Sequence, residues 1–226
     1  MTLKPTDLAK MIDHTLLKPE ATQTDLEQLC KEAIEYGFYS CCVNSSNIPF
    51  IKKLLENSSV LPIAVVGFPL GAASSVAKAH EAKEAVINGA QEIDMVINLG
   101  ALKSKDYKIV LDDILAVVLA ANNRPVKVII ETCQLTEEEK IIACTLSKAA
   151  GAAFVKTSTG FSKSGATSSD IALMRKIVGS QMGVKASGGI KSRSDAMNMI
   201  NAGANRIGTS SGIAIVKGHE SDSSNY

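Results

Sequence analysis

The 226-residue chain has no tryptophan, and aromatic residues make up only 4% of it. A core without large rings has to be built from Ala, Val, Ile and Leu, the material of parallel sheets buried on both faces. An excess of charge is missing too. Twenty-four basic residues against 23 acidic ones leave +1, so there is no electrostatic case for binding nucleic acid. No apolar run approaches the ~20 residues needed to cross a bilayer. The opening MTLKPTDLAKMIDH is charged throughout, unlike a signal peptide, and no membrane attachment is expected. The five cysteines (Cys30, Cys41, Cys42, Cys133, Cys144) are odd in number and lack CxxC spacing. That argues against a disulfide framework or a structural zinc site and fits a reducing cytoplasm. His14, His80 and His219 are scattered and form no HxH or HExxH pattern, so no metal is expected. No linker divides the chain. One domain over residues 1–217 is expected, followed by a polar tail, GHESDSSNY, at 218–226.

What is there repeats. A helix-like segment ends at a glycine and a short β-branched strand follows: EAIEYG37 then FYSCCV, KEAVING89 then AQEIDMVIN, LSKAAG151 then AAFVKTS, NMINAG203 then ANRIGTSS. A glycine so placed reads as the left-handed residue that stops a helix. Thr24 with Glu27, and Thr136 with Glu139, have the spacing of a capping box. Leu26, Leu29, Cys30, Ala33 and Ile34 would share one helix face. Eight strands are predicted to begin near His14, Tyr39, Leu61, Glu92, Val126, Ala153, Val184 and Asn205. Their spacing of about 20–35 residues is that of one βα unit. Eight such units in about 200–250 residues point to a (β/α)8 TIM barrel. The alternative, a doubly wound open sheet, usually shows a GxGxxG turn after an early strand, and none is present.

Two lysines stand inside apolar strands, 29 residues apart: Lys156 in AAFVKTSTG and Lys185 in MGVKASGGI. Most lysines in a sequence simply reach solvent. A lysine in a buried strand is costly to keep charged, and burial or a second cation nearby leaves its amine neutral and nucleophilic. One βα unit apart, the two would sit on adjacent strands near the barrel's top. The pattern does not say which is the nucleophile. Asp94, between Ile93 and Met95, is an acid in mid-strand, either a salt-bridge partner or a proton-transfer group. Asp13, in IDHTLLKP, is placed to orient a barrel cation; its neighbours His14 and Thr15 are less telling. Glu131, in IIETC, ends the fifth strand and would line or brace the site. Cys41 and Cys42 read as small packing groups. Ser187-Gly188-Gly189-Ile190 and Gly208-Thr209-Ser210-Ser211-Gly212 follow the last two strands. Barrels commonly bind phosphate there, because glycine lets backbone N–H groups approach an anion. Gly160, after Ser158 and Thr159, would add a third edge.

In the order IDHTLLKP, CCVNSS, EIDMVIN, KVIIET, FVKTSTGF, VKASGGI and RIGTSSG, the chain resembles, end to end, the deoxyribose-phosphate aldolase family, class I aldolases on a TIM barrel. FVKTSTG together with VKASGGI is specific to that family; KVIIET alone would prove nothing. The resemblance implies reversible cleavage of 2-deoxy-D-ribose 5-phosphate to D-glyceraldehyde 3-phosphate and acetaldehyde. It implies Lys156 as the Schiff-base lysine and Lys185 as the neighbour that lowers its pKa. Asp94 would be the acid/base partner, acting through an ordered water. Asp13 and Thr15 match positions that hold the lysine network and the sugar hydroxyls. Cys42 matches a small active-site residue open to attack by aldehyde. Thr159, Gly160, Gly188, Gly189, Gly208, Ser210 and Ser211 match the substrate and phosphate cradle. No cofactor is implied, the ligand is a small phosphorylated sugar, and a homodimer is the family's expectation. Where some members carry a lysine after STG this chain has Phe161, with Lys163 two places on, and Lys191 stands where arginine is common. The terminal Tyr226 matches a tail tyrosine that in some members assists proton transfer. Two readings compete: a phosphosugar isomerase or synthase on a similar barrel, and an inactive phosphosugar binder. Neither has a use for buried Lys156 and Lys185.

Overall fold

The computed structural model describes residues 3–218. Its strands are β1 (Ile12–Leu16), β2 (Ser40–Asn44), β3 (Leu61–Val66), β4 (Glu92–Val96), β5 (Val126–Ile129), β6 (Phe154–Lys156), β7 (Gly183–Ser187) and β8 (Arg206–Thr209). Each pairs in parallel with the next, and β8 returns to β1, so the sheet closes into an eight-stranded barrel with helices between the strands. The expected (β/α)8 fold is the one that forms, and closure excludes the open sheet. Strand starts differ from those predicted by no more than two residues, the largest offset being β1, at Ile12 rather than His14.

The punctuation follows the sequence with two differences. Gly37 stops the helix Gln23–Tyr36 in the left-handed region, and Gly89, Gly151 and Gly203 also have positive φ. Thr136 and Glu139 form the reciprocal box that opens the helix Glu137–Ala149. The box of the helix Gln23–Tyr36 is made by Thr22 and Asp25 rather than by Thr24 and Glu27. The chain enters that helix two residues earlier, and the shorter aspartate reaches back to the Thr22 N–H. Ile34 is 45% exposed and not part of the buried face, which is the narrower set Leu26, Leu29, Cys30 and Ala33.

Strands alternate sides, and the alternation sorts the barrel's two surfaces. Cys41, Val43, Ala64, Val66, Ile93, Met95, Val128, Val155, Val184 and Ile207 join the main apolar core. The opposite set fills the interior, which is not uniform. Cys42, Ile63 and Val65 form a small apolar cluster with Leu17 on the β2–β3 side. Elsewhere it is rich in charge: Asp13, Glu92, Asp94, Lys127, Lys156, Lys185 and Arg206 are all buried there.

Candidate active site

Parallel register puts the charges level with one another. Lys156 pairs with Lys185 across β6–β7, and Asp94 pairs with Lys127 across β4–β5. One oxygen of Asp94, Oδ2, receives both Lys156 Nζ, at 2.9 Å, and Lys185 Nζ, at 2.8 Å. Its other oxygen takes Lys127 Nζ at 2.7 Å. Lys185 also meets Asp13 Oδ2 at 2.5 Å. Lys127 meets Glu92 at 2.6 Å. Arg206, at the lower end of β8, bridges Asp13 at 3.0 Å and Glu92 at 3.1 Å, and its guanidinium lies 3.5 Å over the Tyr39 ring. Ser40 and Tyr39 donate to Asp13 and Glu92 respectively. An ion chain thus runs down the barrel axis from Lys156 to Arg206.

The chain contains four cations and three carboxylates. It balances when one amine is neutral, and the environments differ enough to choose which. Burial dominates at Lys156 and pushes its amine below the ordinary value; Asp94 opposes this and Lys185 adds to it. At Lys185 burial also disfavours charge, but Asp13 and Asp94 outweigh it and hold the ammonium well above its ordinary value. Asp94 is pulled up by burial and down, more strongly, by Lys127, Lys156 and Lys185, so it stays ionised far below the usual carboxylate range. Of the two amines, Lys156 is the one whose surroundings disfavour charge.

Above Lys156 lies a narrow cleft. Thr15, Thr159, Gly160, Gly188, Gly189, Gly208, Ser210 and Ser211 all line it, as does Lys191. Gly188 takes a left-handed φ of +83° and a Cβ there would press on Gly165. A Cβ on Gly208 would stand 2.8 Å from Lys185 Cε, so this glycine also makes room for the lysine. Among the described residues, the N–H groups of Gly160, Gly188 and Gly189 make no hydrogen bond within the protein. Free amides on two loops suit an anion. Thr159 lines the cleft, but its N–H and hydroxyl both go to Glu131. Thr15 donates its hydroxyl to the Asp13 carbonyl.

Asp13 and Cys42 lie beneath the cleft floor, fully buried. The Cys42 thiol is pushed up to about 11, by burial first and then by Asp94. Phe161 is exposed, packs edge-on against Phe68 and faces a neighbouring hollow that includes Leu70 and Leu99. Tyr226 and His219 lie outside the described residues. Among the described residues no three His, Cys, Asp or Glu side chains converge to hold a metal ion. Lys127, Glu92 and Arg206 were not singled out in the sequence. The signal was the one that found Lys156, a charge inside a β-branched strand, with Glu92 two places from Asp94 and Arg206 two from Gly208.

Residues 8–218 match the model of the DeoC/LacD family of aldolases. The chain is 60% identical over 217 residues to a deoxyribose-phosphate aldolase of Clostridium perfringens (strain SM101), covering 96% of this chain and 97% of that one. It is 58% identical over 214 residues to that of Macrococcus caseolyticus, covering 95% and 97%. It is also similar to the solved structure of the deoxyribose phosphate aldolase from Aeropyrum pernix, described as tetrameric. That match has a TM-score of 0.88, 36% identity, and covers 95% of this chain and 91% of that one.

Proposed function

The chain belongs to the DeoC/LacD aldolase family, and from that premise we propose how its barrel mouth works. Its activity is that of a class I aldolase, the reversible cleavage of 2-deoxy-D-ribose 5-phosphate to D-glyceraldehyde 3-phosphate and acetaldehyde. A phosphosugar isomerase or synthase is not favoured, since it has no role for a buried nucleophilic lysine.

In our reading neutral Lys156 adds to the sugar's C1 aldehyde, and loss of water leaves an iminium. A proton leaves the 3-hydroxyl, the C2–C3 bond breaks, and its electron pair enters the iminium, giving an enamine on Lys156 and free glyceraldehyde 3-phosphate. C2 of the enamine takes up a proton, and hydrolysis releases acetaldehyde and restores the amine. Lys185 holds the Lys156 pKa down. Asp94, kept ionised, passes protons between the lysines and the substrate through a water. The amides of Gly160, Gly188 and Gly189, with Ser210, Ser211 and Lys191, hold the phosphate and orient the chain. The observation that carries this reading is the sharing of one Asp94 oxygen by two amines of which Lys156, and not Lys185, lines the cleft, with burial favouring the neutral form at Lys156 and Asp13 the charged form at Lys185. Five free thiols support a reducing, cytoplasmic setting. The tetrameric Aeropyrum pernix relative supports a homo-oligomer, with the dimer as its smallest form.

Borohydride reduction in the presence of acetaldehyde, read by peptide mass spectrometry, tests the mechanism. A reduced adduct on Lys156 is expected. An adduct on Lys185 would exchange the two roles. No adduct from folded protein that binds the sugar phosphate would overturn the Schiff-base reading.

A further inference from the structure

Glu131 is an acid at the barrel mouth outside the ion chain, and its geometry is unusual. It lies two residues past β5 in the left-handed region, at φ +54° and ψ +64°, although it is not glycine. A side chain there costs on the order of 1 kcal/mol or more unless its surroundings hold it in place. Two backbone bonds bracket it: Ile130 N–H donates to Lys156 O and Thr132 N–H to Thr157 O, both at 2.9 Å. The left-handed turn aims the carboxylate at the next loop, where it is only 3% exposed. All three of its hydrogen bonds come from Thr159: two from the N–H, at 3.3 Å to each oxygen, and one from the hydroxyl, at 2.5 Å. The Thr159 hydroxyl in turn accepts from Phe161 N–H at 3.0 Å. The amides on either side of Gly160 are thereby fixed, and the Gly160 N–H between them is left without a partner among the described residues.

We propose that Glu131 is a positioning residue that presents the Gly160 amide to the substrate's phosphate, and so sets how strongly the enzyme prefers phosphorylated over unphosphorylated sugar. The inference rests on the assignment of the cleft loops to phosphate made above. A buried carboxylate is a strong acceptor, and its bonds to Thr159 are worth more than neutral ones. Holding the loop before substrate arrives removes an ordering cost from binding. The strained backbone at Glu131 has a use on this view, because a relaxed backbone would turn the carboxylate away from Thr159.

The test is a comparison of 2-deoxyribose 5-phosphate with 2-deoxyribose as substrates of the wild type, Glu131→Gln and Glu131→Gly. Glycine suits the left-handed backbone and removes the carboxylate alone. Glutamine keeps one acceptor oxygen. For Glu131→Gly, KM for the phosphate ester should rise on the order of tenfold, with kcat/KM for 2-deoxyribose within about twofold of wild type, and Glu131→Gln should fall between them. Glu131→Asn, whose short side chain also tolerates the left-handed backbone and carries no carboxylate, should reproduce the pattern should Glu131→Gly not fold. Equal losses on both substrates, or no change on either, would overturn the proposal. Borohydride trapping of acetaldehyde in the same preparations separates this outcome from failure of the mechanism: an intact Lys156 adduct with unchanged phosphate preference sinks the positioning role alone.

Discussion

At the scale of single residues, the two paired barrel lysines, Lys156 and Lys185, are opposites that a sequence motif cannot tell apart. The fold disfavours charge on Lys156 through burial, which holds its pKa below the ordinary 10.5. Between that lowered value and 10.5 the unfolded chain binds more protons, so stability from this group rises with pH, and at neutral pH Lys156 works against the fold. Lys185 is shifted upward, so its contribution is fully present below 10.5 and is lost only as pH climbs through its higher folded value. Lys156→Met should therefore abolish cleavage while raising Tm, whereas Lys185→Met, which leaves Asp13 without its closest cation, should lower it. Differential scanning calorimetry at neutral pH checks the pair; the reverse order would contradict the charge assignment. Lys156, Lys185 and Asp94 were legible because each is a charge set among β-branched residues. Lys127 carried the same mark, but KVIIET is so common a strand pattern that it drew no notice. Glu131 was noticed without a role, since nothing in a string of letters reveals a left-handed backbone.

At the scale of elements, the alternation of helix, glycine and strand was legible because each step is a local event: a capping box, a periodic face, a left-handed stop. What was not legible is how neighbouring helices lock. Lys78, on the helix Ser75–Ile87, and Asp113, on the helix Tyr107–Ala120, form an ion pair at 2.6 Å with both side chains fully buried. In SVAKAHEAK a lysine looks like part of a solvated face, and only the packing of the two helices removes it from water. Lys78 Nζ also donates to Val96 O at 2.9 Å, at the end of the strand that carries Asp94. Asp113→Ala would leave a buried ammonium without its counter-charge and should cost about 3–5 kcal/mol. The double change Lys78→Met with Asp113→Leu should recover most of that loss in urea unfolding. A small effect of Asp113→Ala alone would mean that water reaches the pair.

At the scale of the whole molecule, barrel closure gathers charges from six strands onto one axis, so an interior that would ordinarily be apolar depends on ionisation. Asp13 and Asp94 both lie below their ordinary 3.8 despite burial, held there by the surrounding cations. Groups depressed in the fold contribute in full above the unfolded value and lose that contribution as pH falls below it. Urea midpoints should be level from neutrality down to about pH 5 and fall steeply below about pH 4. A midpoint unchanged at pH 3 would contradict the ion chain as drawn. Arg206 closes the lower end of that chain. A guanidinium keeps its protons throughout the working range, and the Tyr39 phenol beside it is held above its ordinary value by burial and by Glu92. The lower end of the chain is thus closed by groups that hold their protons near neutrality, whereas its upper end meets the cleft at Lys156. The hydrogen that completes the methyl group of acetaldehyde should therefore enter from the cleft side, and carry the isotope of the water that reaches Lys156 and Asp94.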